Sequence, residues 1–159
     1  MLSLRPIRPS DNETVAKLIR EVMTEFNCVG EGYSINDPEL RDMYAAYSRP
    51  GSDFYVLTSD GDIVGVGGFA PLAHADESVC ELRKMYLQPA ARGKGGGRLI
   101  LERCLEGARK HGYRRMYLET VHGMATAGRM YSRYGFTPLD GPLGNTGHSS
   151  CDRYMIHDL

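Results

Sequence analysis

Residues 93–97 read Gly93-Lys94-Gly95-Gly96-Gly97, four glycines in five positions, set between a strand-like run (79–87) and a run with helical periodicity (97–110). Glycine loses more conformational freedom on folding than any other residue, so such a cluster is costly unless the backbone needs what only glycine allows. A turn at a helix start needs it when main-chain N–H groups must point outward, where the helix dipole adds positive character. Arg92, Lys94 and Arg98 put full charges around this turn. Phosphate is the natural guest. The chain must therefore build a strand, a tight turn and a helix as one packed unit.

Spacing excludes two common phosphate motifs. A P-loop needs Gly-Lys followed by Ser or Thr, but Gly95 follows Lys94, and Gln88 stands where the first glycine belongs. A dinucleotide fingerprint needs Gly-x-Gly-x-x-Gly, which fails at Arg98 after Gly93 and Gly95 and at Ile100 after Gly95 and Gly97. A flexible connector is the competing reading of a glycine run. The flanking strand and helix favour the anion.

Charge points to the same place. Residues 83–115 hold 10 basic and 2 acidic residues, a local charge of +8, while the rest of the chain carries -9 and the total is -1. A molecule so nearly neutral is no generic polyanion binder. With no stacking platform or recognition helix visible in the sequence, a nucleic-acid partner is not expected.

The remaining segments supply a mixed fold. Residues 2–7 alternate as a strand, and Ser10 with Glu13 suggests a capping box for an amphipathic helix over 11–26. Asp37-Pro38 suggests a second helix start, with Leu40, Met43, Tyr44 and Tyr47 as its apolar face. Residues 54–57 and 63–69 read as strands joined at Asp60-Gly61. Further strands are expected over 79–87, 116–119, 136–139 and 152–156, and helices over 97–110 and 126–134. The fold class is α+β, a mixed and mostly antiparallel central sheet flanked by helices. At 159 residues the chain is read as a single domain, 1–159.

No stretch approaches the ~18 apolar residues of a membrane helix, and the N-terminus lacks the apolar run of a signal peptide. Cys28, Cys80, Cys104 and Cys151 form no Cys-x-x-Cys pair. Free thiols, no metal site, no membrane partner and a cytoplasmic location are the expectations.

Arg92-x-x-Gly95-x-Gly97 resembles the acyl-CoA pyrophosphate loop of the GNAT superfamily of N-acyltransferases. Glu81-Leu82-Arg83-Lys84-Met85-Tyr86-Leu87 is similar to the strand before that loop, and Met130-Tyr131-Ser132-Arg133-Tyr134-Gly135-Phe136 to the family's later helix-to-strand segment. The resemblance covers residues 79–137. It implies acetyl-CoA as co-substrate and a primary amine, of a small molecule or peptide, as acceptor. It also implies that the amides of Gly93, Lys94, Gly95, Gly97 and Arg98 bind the CoA pyrophosphate with help from Arg92. Main-chain groups of Met85 and Leu87 would pair with the pantetheine arm as an added strand, the last aiming an N–H at the thioester oxygen.

In that family a tyrosine commonly protonates the departing thiolate, and Tyr131 matches it. Glu81 lies eleven residues before Arg92, the offset of the catalytic glutamate in the histone-acetylating branch. Its apolar neighbours would raise its pKa toward that of a useful base. Glu119, His122 and water are the rival bases. Met124 departs from the family, which often carries an Asn there to contact the cofactor arm. Acids at Glu31, Asp37, Glu39 and Asp42 suggest a cationic acceptor, and residues 144–148 read as a loop over the site. The family's habit implies a homodimer. A non-catalytic acyl-CoA sensor is the alternative function.

Overall fold

The computed structural model describes residues 1–159. Its strands are β1 (Leu2–Pro6), β2 (Asp53–Ser59), β3 (Asp62–Pro71), β4 (Val79–Leu87), β5 (Arg115–Thr120), β6 (Thr137–Leu139) and β7 (Arg153–Asp158). They form one sheet in the order β1-β2-β3-β4-β5-β7-β6, antiparallel throughout except for the β4–β5 pair. Helices α1 (Asn12–Glu25), α2 (Met43–Ala46), α3 (Gly96–Lys110) and α4 (Ala125–Arg133) flank it. The expected α+β class is what forms.

Strand β2 is apolar at consecutive positions because both of its faces are covered. Phe54 and Val56 pack with Val15, Leu18 and Ile19 of α1. Tyr55 and Leu57 pack on the other face with Ile100, Leu101 and Leu105 of α3. Burying each large side chain stabilises the fold by about 1.5–3 kcal/mol. Glycines let α3 lie close: a Cβ on Gly67 would stand 2.5 Å from Ile100 Cγ2, and one on Gly96 2.6 Å from Leu57 Cδ2.

Two local expectations fail. Ser10 lies within a short 3-10 turn (Pro9–Asp11), so no Ser10–Glu13 box forms; Asp11 precedes α1 instead. Its carboxylate accepts from the Arg8 N–H at 2.7 Å and from both terminal nitrogens of Arg5 at 2.7 and 3.0 Å. The second helix is broken into a 3-10 turn (Pro38–Arg41) and the single turn α2. Asp42 leaves helical geometry between them and its side chain accepts from the Ala45 N–H at 3.0 Å, the capping habit of aspartate.

Two irregularities position the site. The parallel β4–β5 ladder runs only from Val79↔Arg115 to Glu81↔Tyr117. Beyond it the strands diverge and leave a wedge. On its other edge β4 carries a bulge: Val66 pairs with Tyr86 but Gly68 with Arg83, so Lys84 and Met85 share the single partner Gly67. Lys84 takes a left-handed conformation there, φ +51°.

Candidate active site

At the mouth of the wedge, Gly93 and Gly95 adopt φ of +76° and +85° on either side of Lys94. A Cβ on either would meet nothing within 4 Å, so conformation, not space, demands glycine here. None of the main-chain N–H groups from Gly93 to Arg98 has an acceptor within the protein, and the first intrahelical donor of α3 is Leu99, to Gly95 O at 3.1 Å. Successive outward amides at a helix start are an anion-binding concavity. They open on a cleft of about 760 Å³ lined also by Met85, Leu87, Arg98 and Arg133.

Arg92 is placed otherwise than expected. Its guanidinium grips Glu25 of α1 at 2.5 and 2.8 Å, and its carbon lies 5.2 Å from the centroid of the Phe26 ring. It also donates to Leu87 O at 2.9 and 3.2 Å. A bidentate carboxylate and a carbonyl occupy this cation, so Lys94 carries the loop's free charge, with Arg98 held only by a long, exposed contact to Glu102 at 3.9 Å. Elsewhere the basic run pairs with its own acids, as in Lys110–Glu106 at 2.9 Å.

The Gln88 N–H donates to Val64 O at 2.9 Å, and Tyr86 lies opposite Val66. Hydrogen-bonded and non-bonded pairs alternate along an antiparallel ladder, so the main chain of Leu87, between them, turns away from β3 into the wedge. Its carbonyl is taken by Arg92, which leaves the N–H. Met85, next to the bulge, lines the same cleft.

Deeper in, Glu81, Glu119, Tyr131 and His148 line one small chamber together with Met124 and Cys151. Tyr131 is buried, its ring 5.8 Å from that of Phe136, and its hydroxyl has no hydrogen-bond partner in the protein. Burial pushes its pKa up, so the phenol stays a donor at neutral pH. Glu81 is buried and accepts from Arg83 Nε at 2.7 Å. Its pKa is raised, burial outweighing the charge and hydrogen bond of Arg83.

Around them lies a charged network that sequence reasoning did not assemble. The Lys84 Nζ, almost fully buried, contacts Asp37 Oδ2 at 2.7 Å and Glu39 Oε2 at 2.8 Å. His148 Nε2 lies 3.0 Å from both oxygens of Asp37. Glu119 accepts from Tyr117 Oη at 2.6 Å and from the Thr146 hydroxyl. Residues 143–151 are laced over this end: Ser150 N–H reaches Gly32 O at 3.1 Å and Asn145 N–H reaches Ala73 O at 2.9 Å. Two of the acids read as acceptor-lining, Asp37 and Glu39, thus share the Lys84 ammonium, with Arg83 Nη1 3.8 Å from Glu39, and Asp42 is a helix cap. His122 is exposed and does not line the chamber. Arg83 is set against Glu81 and Lys84 against Asp37 and Glu39, so most of these carboxylates are ion-paired. The four cysteines are free.

A family model described as Acetyltransferase (GNAT) family matches residues 16–136. An uncharacterized N-acetyltransferase of Escherichia coli, YjgM, is 39% identical over 157 residues, covering 98% of this chain and 94% of that protein. The IAA acetyltransferase of Azospirillum brasilense is 31% identical over 147 residues, covering 92% of each. Among solved structures, a GNAT-family acetyltransferase from Staphylococcus aureus superposes with a TM-score of 0.86 at 21% identity, over 99% of both chains. The PaiA N-acetyltransferase of Thermoplasma acidophilum, in complex with coenzyme A, gives 0.79 at 18% identity, over 100% of this chain and 99% of that one.

Proposed function

The chain belongs to the acetyltransferase (GNAT) family, and from that membership we propose how its residues divide the work. It is an acetyl-CoA-dependent N-acetyltransferase: an amine attacks the thioester directly and CoA leaves as the thiol. The observation that carries the assignment of parts is the run of unsatisfied amides from Gly93 to Arg98 at the head of α3. These would hold the CoA pyrophosphate, with Lys94 and Arg98 adding charge.

From there the pantetheine arm runs along the open edge of β4, using the Met85 main chain and the Leu87 N–H. An N–H aimed at the thioester oxygen stabilises the developing oxyanion, and one such donor is worth about 3 kcal/mol. The bulge at Lys84 and Met85 sets that donor's direction. Tyr131, a buried donor with no competing partner, protonates the thiolate. Glu81 is the carboxylate that the acceptor's ammonium meets on arrival, and positioning of the two substrates supplies most of the remaining acceleration.

The acceptor is a primary amine of a small molecule or peptide. The homodimer and cytoplasmic location implied by the family belong to the same proposal, and light scattering on the purified protein tests the first. No helix is long and apolar enough to cross a membrane. Thermal unfolding with acetyl-CoA tests the donor site most directly. At one hundred times the dissociation constant a ligand adds about 2.7 kcal/mol. At this chain length that raises the melting temperature by roughly 5–10 degrees. An unmoved transition removes the acetyl-CoA site.

A further inference from the structure

We propose that His148 is the base that takes the first proton from the acceptor amine, with Asp37 as its positioning residue; this rests on the acetyl-transfer reading above. Glu81 is encumbered by Arg83 Nε at 2.7 Å, and Glu119 by two hydroxyl donors. His148 is differently placed. Asp37 holds Nε2 at 3.0 Å, which fixes the ring and leaves Nδ1 as the free nitrogen. Nδ1 has no hydrogen-bond partner and stands 3.9 Å from Glu119 Oε1, too far for a direct bond.

One reactive atom each from Glu81, Glu119 and His148 lie within 4.8 Å of one another. Three acceptors placed tetrahedrally at about 2.8 Å from an ammonium nitrogen would stand about 4.6 Å apart, so one primary ammonium fits between them. Two carboxylates accept N–H bonds while the imidazole takes the proton.

The protons balance. R-NH3⁺ gives its first proton to His148 Nδ1, which later releases it to solvent. The freed lone pair forms the C–N bond at the thioester carbon. The C–S bond breaks as Tyr131 gives its proton to the sulfur, and the tetrahedral adduct's second N–H proton passes through solvent to restore the Tyr131 phenol. The products are the amide and CoA thiol.

The ring faces Asp37 from the N-terminal connection, Glu81, Arg83 and Lys84 from β4, Glu119 from β5 and Cys151 on its own segment, and shares its chamber with Tyr33, Tyr86 and Tyr131. Burial disfavours the imidazolium, but Asp37 outweighs it and the pKa is raised above 6.5. A base is active when deprotonated, so activity rises with pH through that value. Asp37→Asn removes the stabilising charge and moves the acid limb of kcat/KM to lower pH.

The test measures CoA release from acetyl-CoA with the best acceptor in a panel of primary amines. His148→Gln is expected to lower kcat/KM at pH 7 by about 100-fold and to abolish the acid limb, with the acetyl-CoA dissociation constant unchanged. His148→Gly should regain activity on addition of imidazole. A His148→Gln enzyme that binds acetyl-CoA normally and retains its rate within about threefold, or keeps the wild-type limb, overturns the assignment while leaving the acetyl-transfer reading intact. Wild-type protein that releases CoA no faster with any amine of the panel than without one defeats that reading, and this inference with it.

Discussion

Tyr131 is a buried phenol whose ring is held by Phe136 while its hydroxyl finds no acceptor. Removing the oxygen therefore orphans no partner and opens no sizeable cavity. Tyr131→Phe should leave the melting temperature and acetyl-CoA affinity unchanged and lower kcat by about 100-fold. Equal turnover would remove the residue from the chemistry. At this scale the sequence drew attention to Tyr131, Glu81 and the loop glycines because each belongs to a local motif, and the structure sets them around adjoining clefts. The pairing of His148 with Asp37 was not legible, since the two lie 111 positions apart and only tertiary packing joins them. Arg92 misled for a related reason: a cation beside a glycine turn reads as an anion's ligand until Glu25, 67 positions earlier, is seen to claim it.

Among the elements, the start of α1 rests on Asp11, which joins β1 to the helix through Arg5 and the Arg8 N–H. The Arg5 hydrogen bond pulls the Asp11 pKa below the ordinary range, against the opposing effect of burial. A depressed carboxylate contributes its full stability above the unfolded value, near pH 4, and loses it as the pH falls through the folded value. The urea midpoints of wild type and Asp11→Asn should thus differ at pH 6, by about 1.5–3 kcal/mol of stability, and converge toward pH 2.5. A gap that persists in acid refutes the pairing. Gly95→Ala forces a side chain into φ +85° with nothing touching its Cβ. It should cost about 1 kcal/mol in stability, and acetyl-CoA affinity should fall at least tenfold as the amides turn; calorimetry reads the second effect. Periodicity found α1, α3, α4 and most strands. It overran the second helix because Asp42 both ends one turn and begins the next, a choice that tertiary contacts decide.

The whole molecule is two sheet halves joined by three parallel residue pairs, and the candidate site lies where that joint opens. Its class could be read from the order of strand and helix signals. The bulge and the wedge could not, because register depends on partners and not on composition. A pantetheine arm lying along β4 completes a ladder that the protein leaves unfinished. Saturating acetyl-CoA should therefore slow hydrogen exchange at Met85 and Leu87 by tenfold or more, with little change in β1 and β2. Uniform slowing across the sheet would mean general stabilisation and no added strand.

Lys84 has its main chain in the left-handed kink beside the open edge of β4 and its ammonium locked between Asp37 and Glu39. A non-glycine residue holds such a kink at a cost of about 1–2 kcal/mol, so the two carboxylates act as its clasp. An engineer who transplants residues 27–42 from another enzyme to change which amine is accepted would unfasten that clasp unless both acids travel with the graft. In the proposed site, donor alignment and acceptor choice would thus be mechanically tied, so retargeting one should be felt in the other.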